Sequence, residues 1–254
     1  MLRSNFTNIK VRTMQNSQQI ILCIPGVWKN HQELVHAMLE CDTGYIYAGM
    51  IMTSLHSDHF VEVEEHNHDP EVSRIFRLFS MQRFSDHELD QIDQHNMVLY
   101  LICKGGYFQS VQNALKLGQA LLKAGGLGIK IETAGLTHSK EQWLEFSATN
   151  LLDIFKAFIP VVSDQEYLYS CGMHQFGKPD GCISSSVNEA SFTLNQFLLY
   201  ILAEDPDFKK GDTFRAEEDM EKFNLSKRSS SEFFEADSLY FNSFGIWQLN
   251  SPLP

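Results

Sequence analysis

The sequence predicts an α+β protein, a mixed β-sheet with helices packed on it. Three observations carry that reading. Apolar runs of strand length recur at "QIILCIP" (19–25), "YIYAGMIMTS" (45–54) and "MVLYLIC" (97–103). Stretches with helical spacing of apolar residues lie between and after them. Hydrophobic residues make up 43% of the 254, which suits a chain that buries a core.

Taken in order, residues 19–25 read as a buried strand closed by Pro25-Gly26, and 29–40 as a helix with Leu34 and Met38 on one face. Residues 45–54 read as one strand, joined by "LHSD" to the alternating strand "HFVEVEE" (59–65). Residues 70–84 are helical with Pro70 in the first turn. Ser85 and Glu88 have the spacing of a capping box that opens the next helix. Strand 97–103, helix 107–123 and strand 128–132 then form a βαβ unit at about 97–132, expected to be right-handed with parallel strands. Phe108, Val111, Leu115, Gly118 and Leu122 share one face of its helix, and Gly125-Gly126 end it.

Residues 139–158 are helical with a break near Thr149-Asn150, and Trp143 is expected in the core. "EYLYSCGMH" and "DGCISS" bracket a Gly-Pro turn and predict a hairpin at about 167–184. Extended strands there would put Cys171 and His174 on opposite faces and let Cys171 face Cys182. Ser186 and Glu189 read as a second capping box before a helix carrying Leu194, Phe197, Leu198 and Ile201. Strands are expected near 222–227 and 245–249. Residues 1–18 read as a flexible polar leader without the apolar segment of a secretory signal. Residues 19–254 read as a single α+β domain, with a subdomain division near 160 as the alternative.

Charge narrows the function classes. Thirty-two Asp and Glu against 20 Lys and Arg give a net charge of −12. Nucleic acid and an anionic membrane are poor partners for such a chain, whereas a basic protein suits it. Acidity also serves solubility alone. No apolar run reaches the ~20 residues of a membrane span. Five cysteines, an odd and scattered set, read as reduced thiols of a cytoplasmic protein.

"LHSDHFVEVEEHNHDPE" is rich in metal-capable side chains, but they sit on loops at both ends of a strand, which separates Asp58 from Glu65 by about 20 Å. Only His66 and His68, within one loop, remain as weak metal candidates, so no metal is assigned. "CKGGYFQS" sits where phosphate-binding loops occur, without their glycine spacing. No cofactor is expected. Glu132 and His138 fall near the end of the βαβ unit's second strand, where ligands of open α/β sheets bind. His138 there is either a general base or a neighbour of a capping Thr137 or Ser139.

Several stretches together resemble a bacterial family of unknown function, the domain numbered 4261. They are "PGVWKNHQELV", "GGYFQSVQNALKLGQALLKAGGLGIKIETAGLTHSKEQW", "YSCGMHQFGKPD" and "LYFNSFGIWQL", spread over about residues 19–249. The resemblance implies a soluble bacterial protein and supplies no catalytic residues. Small acidic families of this kind are sometimes found as immunity partners of secreted toxins.

The expectation is therefore a non-catalytic bacterial immunity protein that binds a basic cognate toxin or effector. Its partner-binding residues are expected among Glu62, Glu64, Glu65, Asp69 and Glu71, and in the run Glu217, Glu218, Asp219 and Glu221. The alternatives are a hydrolase or metal-dependent enzyme with Glu132, His138 and His174 in its site, and an accessory scaffold.

Overall fold

The computed structural model describes residues 18–79, 84–209 and 211–251. The leader expected at 1–18 lies, but for Gln18, outside the described residues. Strands β1 (Gln19–Gly26), β2 (Tyr45–Ala48), β3 (Ile51–Ser54), β4 (Phe60–Asn67), β5 (Met97–Lys104), β6 (Gly128–Ile131) and β7 (Leu136–Ser139) form a seven-stranded sheet of order β2-β3-β4-β5-β1-β6-β7. Strands β8 (Val161–Ser163), β9 (Tyr167–Ser170), β10 (Asp180–Ser184), β11 (Thr213–Phe214), β12 (Phe223–Arg228) and β13 (Ile246–Asn250) form a second sheet of order β11-β12-β13-β10-β9-β8. The first sheet is antiparallel throughout. The second is mixed, because β10 and β13 run parallel.

The helices are α1 (His31–Glu40), α2 (Pro70–Phe79), α3 (Asp86–Asp93), α4 (Phe108–Lys123), α5 (Lys140–Glu145), α6 (Leu151–Phe158) and α7 (Ala190–Glu204). Helix α4 packs on β1 and β5, α7 packs on β9 and β10, and α6 touches both helices. One apolar cluster runs from Leu22 and Leu101 of the first sheet, through Trp143, Phe158 and Phe197, to Ile183 and Leu249 of the second. We call the α4-facing side of the first sheet its inner face. On the outer face, α2 and α3 bury a smaller cluster of Ile21, Cys23, Phe76, Val98 and Tyr100.

The expected α+β architecture with packed helices is present, and four local expectations are revised. Strands β5 and β6 are parallel and joined through α4, but β1 lies between them and pairs antiparallel with both. Strand β1 is apolar on both faces, which suits a central position. Residues 45–54 are two strands, not one: Gly49, at φ +65, opens a two-residue turn that pairs Ala48 with Ile51. The capping box at Ser85 and Glu88 forms, whereas the one expected at Ser186 and Glu189 does not. Glu189 is left-handed and makes no side-chain cap, and Ser186 hydrogen-bonds Ser184 instead. Cys171 and Cys182 do not face each other. Strand β9 stops at Ser170, a 3-10 turn spans Met173–Phe176, and Cys182 pairs with Tyr169. The helix expected at 139–158 is broken as anticipated, into α5 and α6, with Asn150 capping the second. Residues 80–83 of the helix expected at 70–84 lie outside the described residues.

Candidate functional site

Strand pleating sorts the residues of the β2–β4 hairpins onto two faces. Tyr47, Met52, Val61 and Val63 point inward to the core. Phe60, Glu62 and Glu64 alternate with them, and register places Ile51 across from Glu62 and Thr53 across from Phe60. Among the described residues no helix covers this part of the outer face. Phe60 is 63% exposed and Ile51 43% exposed, with Met50 and Leu55 also exposed in the adjoining turns. The result is a surface with an aromatic ring and an aliphatic side chain next to two exposed carboxylates.

The other acidic residues expected to bind a partner lie elsewhere. Glu65 follows Val63 onto the inner side, where it pairs with His31 Nδ1 at 2.6 Å and accepts from Tyr47 Oη at 2.5 Å. Burial, and then this carboxylate, push the Tyr47 phenol up. Asp69 accepts from the Glu71 amide at 2.9 Å at the start of α2, and Glu71 pairs with Arg74. Glu217, Glu218, Asp219 and Glu221 are exposed in the loop between β11 and β12, on the other sheet. The two acidic stretches therefore belong to different sheets.

His66 stacks edge-on against Tyr100 and lies 3.5 Å from Glu64. His68 stacks on His95 and hydrogen-bonds its carbonyl at 2.8 Å. The two imidazoles thus have separate partners. Among the described residues no group of three or more His, Cys, Asp or Glu is placed to hold a metal ion.

Glu132 and His138 are not brought together. His138 pairs with Ile129, an inner-face core residue, while Glu132 bonds Lys130, which lies on the outer face beside Cys23. His138 is 1% exposed, and its ring meets Gln142 Oε1 at 3.0 Å and the Ala157 carbonyl at 2.8 Å. Ser139 caps α5 beside it, and Trp143 is fully buried, as anticipated. This geometry describes a core histidine rather than a solvent-accessible base. His174 is partly buried on the 3-10 turn that packs against α4, and burial lowers its pKa to about 4.

Glu132 instead contacts a row of outer-face residues that the sequence pattern does not reveal. Glu64, Tyr100, Cys23, Lys130 and Thr137 are consecutive cross-strand neighbours on the outer face. Lys130 is buried and reaches Glu132 at 2.5 Å. Burial, and then the Glu132 charge, push the Cys23 thiol far up, so it is not a thiolate nucleophile. The alternation of "GIKIE" already places Lys130 and Glu132 on one face. Their neighbours depend on pairing that no local pattern specifies.

The cluster at 170–184 is a buried polar node. Asp180 Oδ1 accepts from Ser170 Oγ at 2.8 Å and from the Met173 amide at 3.2 Å, and Oδ2 accepts from Asn242 Nδ2 at 2.6 Å. Burial raises the Asp180 pKa to about 6, and the three donors act against that rise. Asn242 also donates to the Lys178 carbonyl at 3.0 Å. The node thereby ties β9, the 3-10 turn, β10 and the loop before β13 together. Next to it, Gly177 at φ +72 lets the turn meet the β5–α4 loop, and a Cβ there would lie 2.4 Å from the Gly106 carbonyl oxygen. The Gly105 and Gly106 amides donate to the Gln18 and Gln175 carbonyls, so they are committed to the fold and not directed at a phosphate. Cys171 and Cys182 are buried free thiols in separate apolar clusters.

Comparison with known proteins agrees with this last region. The family described as "Domain of unknown function (DUF4261)" matches residues 169–235, so the chain resembles that family across β9, the 3-10 turn, β10, α7 and β12. The match includes Ser170, Met173 and Asp180 of the node. No curated protein and no solved structure matches the chain. Among the described residues no helix is long and apolar enough to cross a membrane.

Proposed function

We propose that this chain is a non-catalytic bacterial immunity protein, which neutralises a basic toxin or effector domain in the cytoplasm by covering it. The uncovered outer face of the β2–β4 hairpins supports this reading most. An exposed phenyl ring and isoleucine beside Glu62 and Glu64 have the composition of an interface centre, an apolar anchor with charge at its rim. An exposed strand face suits a protein surface better than a small substrate, which needs a concave site. The net charge of −12 speeds encounter with a cationic partner.

The test is co-expression with the product of the adjacent gene. The wild-type chain is expected to relieve that product's toxicity and to co-purify with it. A chain carrying Phe60→Arg, Glu62→Lys and Glu64→Lys is expected to fold and to lose both effects. A neighbour that is harmless alone, or full protection by the triple variant, would overturn the reading.

A further inference from the structure

The inner side of the same hairpins carries a second feature of opposite charge. A cavity of about 470 Å³ opens between the β2–β4 hairpins and the exposed side of α4. Its wall includes Lys116, Lys123, His56, His59, Asn113 and Thr43, and no Asp or Glu lines it. In a chain with 32 acidic residues that composition is unexpected, and it makes the cavity locally cationic. Lys116 and Lys123 are exposed and lie seven positions apart on α4, about 10 Å along the axis, so both long side chains reach the opening. No ion pair to either ammonium occurs among the described residues.

Two further polar atoms lie beside the cavity wall. Thr43 Oγ1 and His59 Nδ1 are buried and have no hydrogen-bond partner among the described residues. Burial also lowers the His59 pKa, which keeps the ring neutral and able to hydrogen-bond a polar group.

We propose that this cavity binds a small phosphomonoester with a hydroxyl-rich body. Two lysines match the charge of a phosphate dianion. Gln109, Asn113 and His56 on its wall supply hydrogen bonds to the rest of the molecule. The volume lies within the roughly 300–1,000 Å³ of small-molecule sites, far more than a bare phosphate fills. The cavity lies on the opposite face from Phe60 and Glu62, so the proposal stands independently of the partner-binding reading.

Calorimetric titration of the full chain with ribose 5-phosphate, inorganic phosphate and ribose tests it. Ribose 5-phosphate is expected to bind saturably, about tenfold more tightly than inorganic phosphate, with no detectable binding of ribose. Lys116→Met with Lys123→Met is expected to weaken that binding at least about tenfold, and Lys116→Arg with Lys123→Arg to retain it. Both lysines are exposed, so neither pair threatens folding. The proposal is overturned if ribose 5-phosphate shows no saturable binding at about 10 mM, if inorganic phosphate binds equally well, or if the Met pair leaves affinity unchanged.

Discussion

Asp180 shows how one side chain holds the region of family resemblance together. Asp180→Ala would strand the Ser170 hydroxyl, the Met173 amide and the Asn242 amide in a buried place. Urea denaturation at pH 7 is expected to show a loss of about 2–4 kcal/mol. His174 makes a second prediction through pH. Its folded pKa, about 4, lies below the ordinary 6.5. The stability it contributes is therefore present above pH 6.5 and lost as pH falls towards 4. Asp180 acts in the opposite sense, because its folded pKa of about 6 lies above 3.8. Its contribution is full below pH 3.8 and lost as pH rises through 6. His174→Gln should thus gain on the wild type on acidification from pH 7 to 4, by about 3 kcal/mol. A constant difference across that range would show that His174 carries no such linkage.

At the scale of elements, local chemistry was legible where it decides by itself. The Ser85–Glu88 capping box and the break before α6 follow from side chains that satisfy nearby backbone groups, and the stop at Gly125-Gly126 from a glycine at φ +119. Asn150 is the clearest case, since its Oδ1 accepts from the Leu152 and Asp153 amides. Asn150→Ala is expected to cost about 1 kcal/mol in thermal or urea unfolding. The Ser186–Glu189 pattern misled because the same spacing occurs where Glu189 turns left-handed and Ser186 has another partner. Strand order was not legible. Nothing within 97–132 says that β1, some 70 positions earlier, inserts between β5 and β6. The placement of the candidate residues was hidden for the same reason. Face parity separates Glu132 from His138 and Glu64 from Glu65, and parity follows from register, which only the assembled sheet sets.

For the whole molecule, charge and shape point the same way. The chain is strongly acidic, yet its acidic residues do not form one patch. Glu62 and Glu64 flank exposed apolar side chains on one sheet, while Glu217, Glu218, Asp219 and Glu221 lie in a loop of the other. The composition announced an acidic protein; only the fold shows which carboxylates sit beside an exposed ring. A partner held by the hairpin face should respond to substitutions there and hardly at all to reversal of the distant loop charges. The latter should chiefly slow association at low salt.

The most direct measurement is the affinity of the purified full-length chain for the adjacent gene's product, compared between wild type, Phe60→Arg and the fourfold Lys variant at Glu217, Glu218, Asp219 and Glu221. A hairpin-face interface predicts that Phe60→Arg weakens binding at least about a hundredfold, the loss of a central aromatic anchor. The fourfold variant is expected to stay within about tenfold of wild type. Unchanged affinity for Phe60→Arg, or no binding by the wild type, would contradict it.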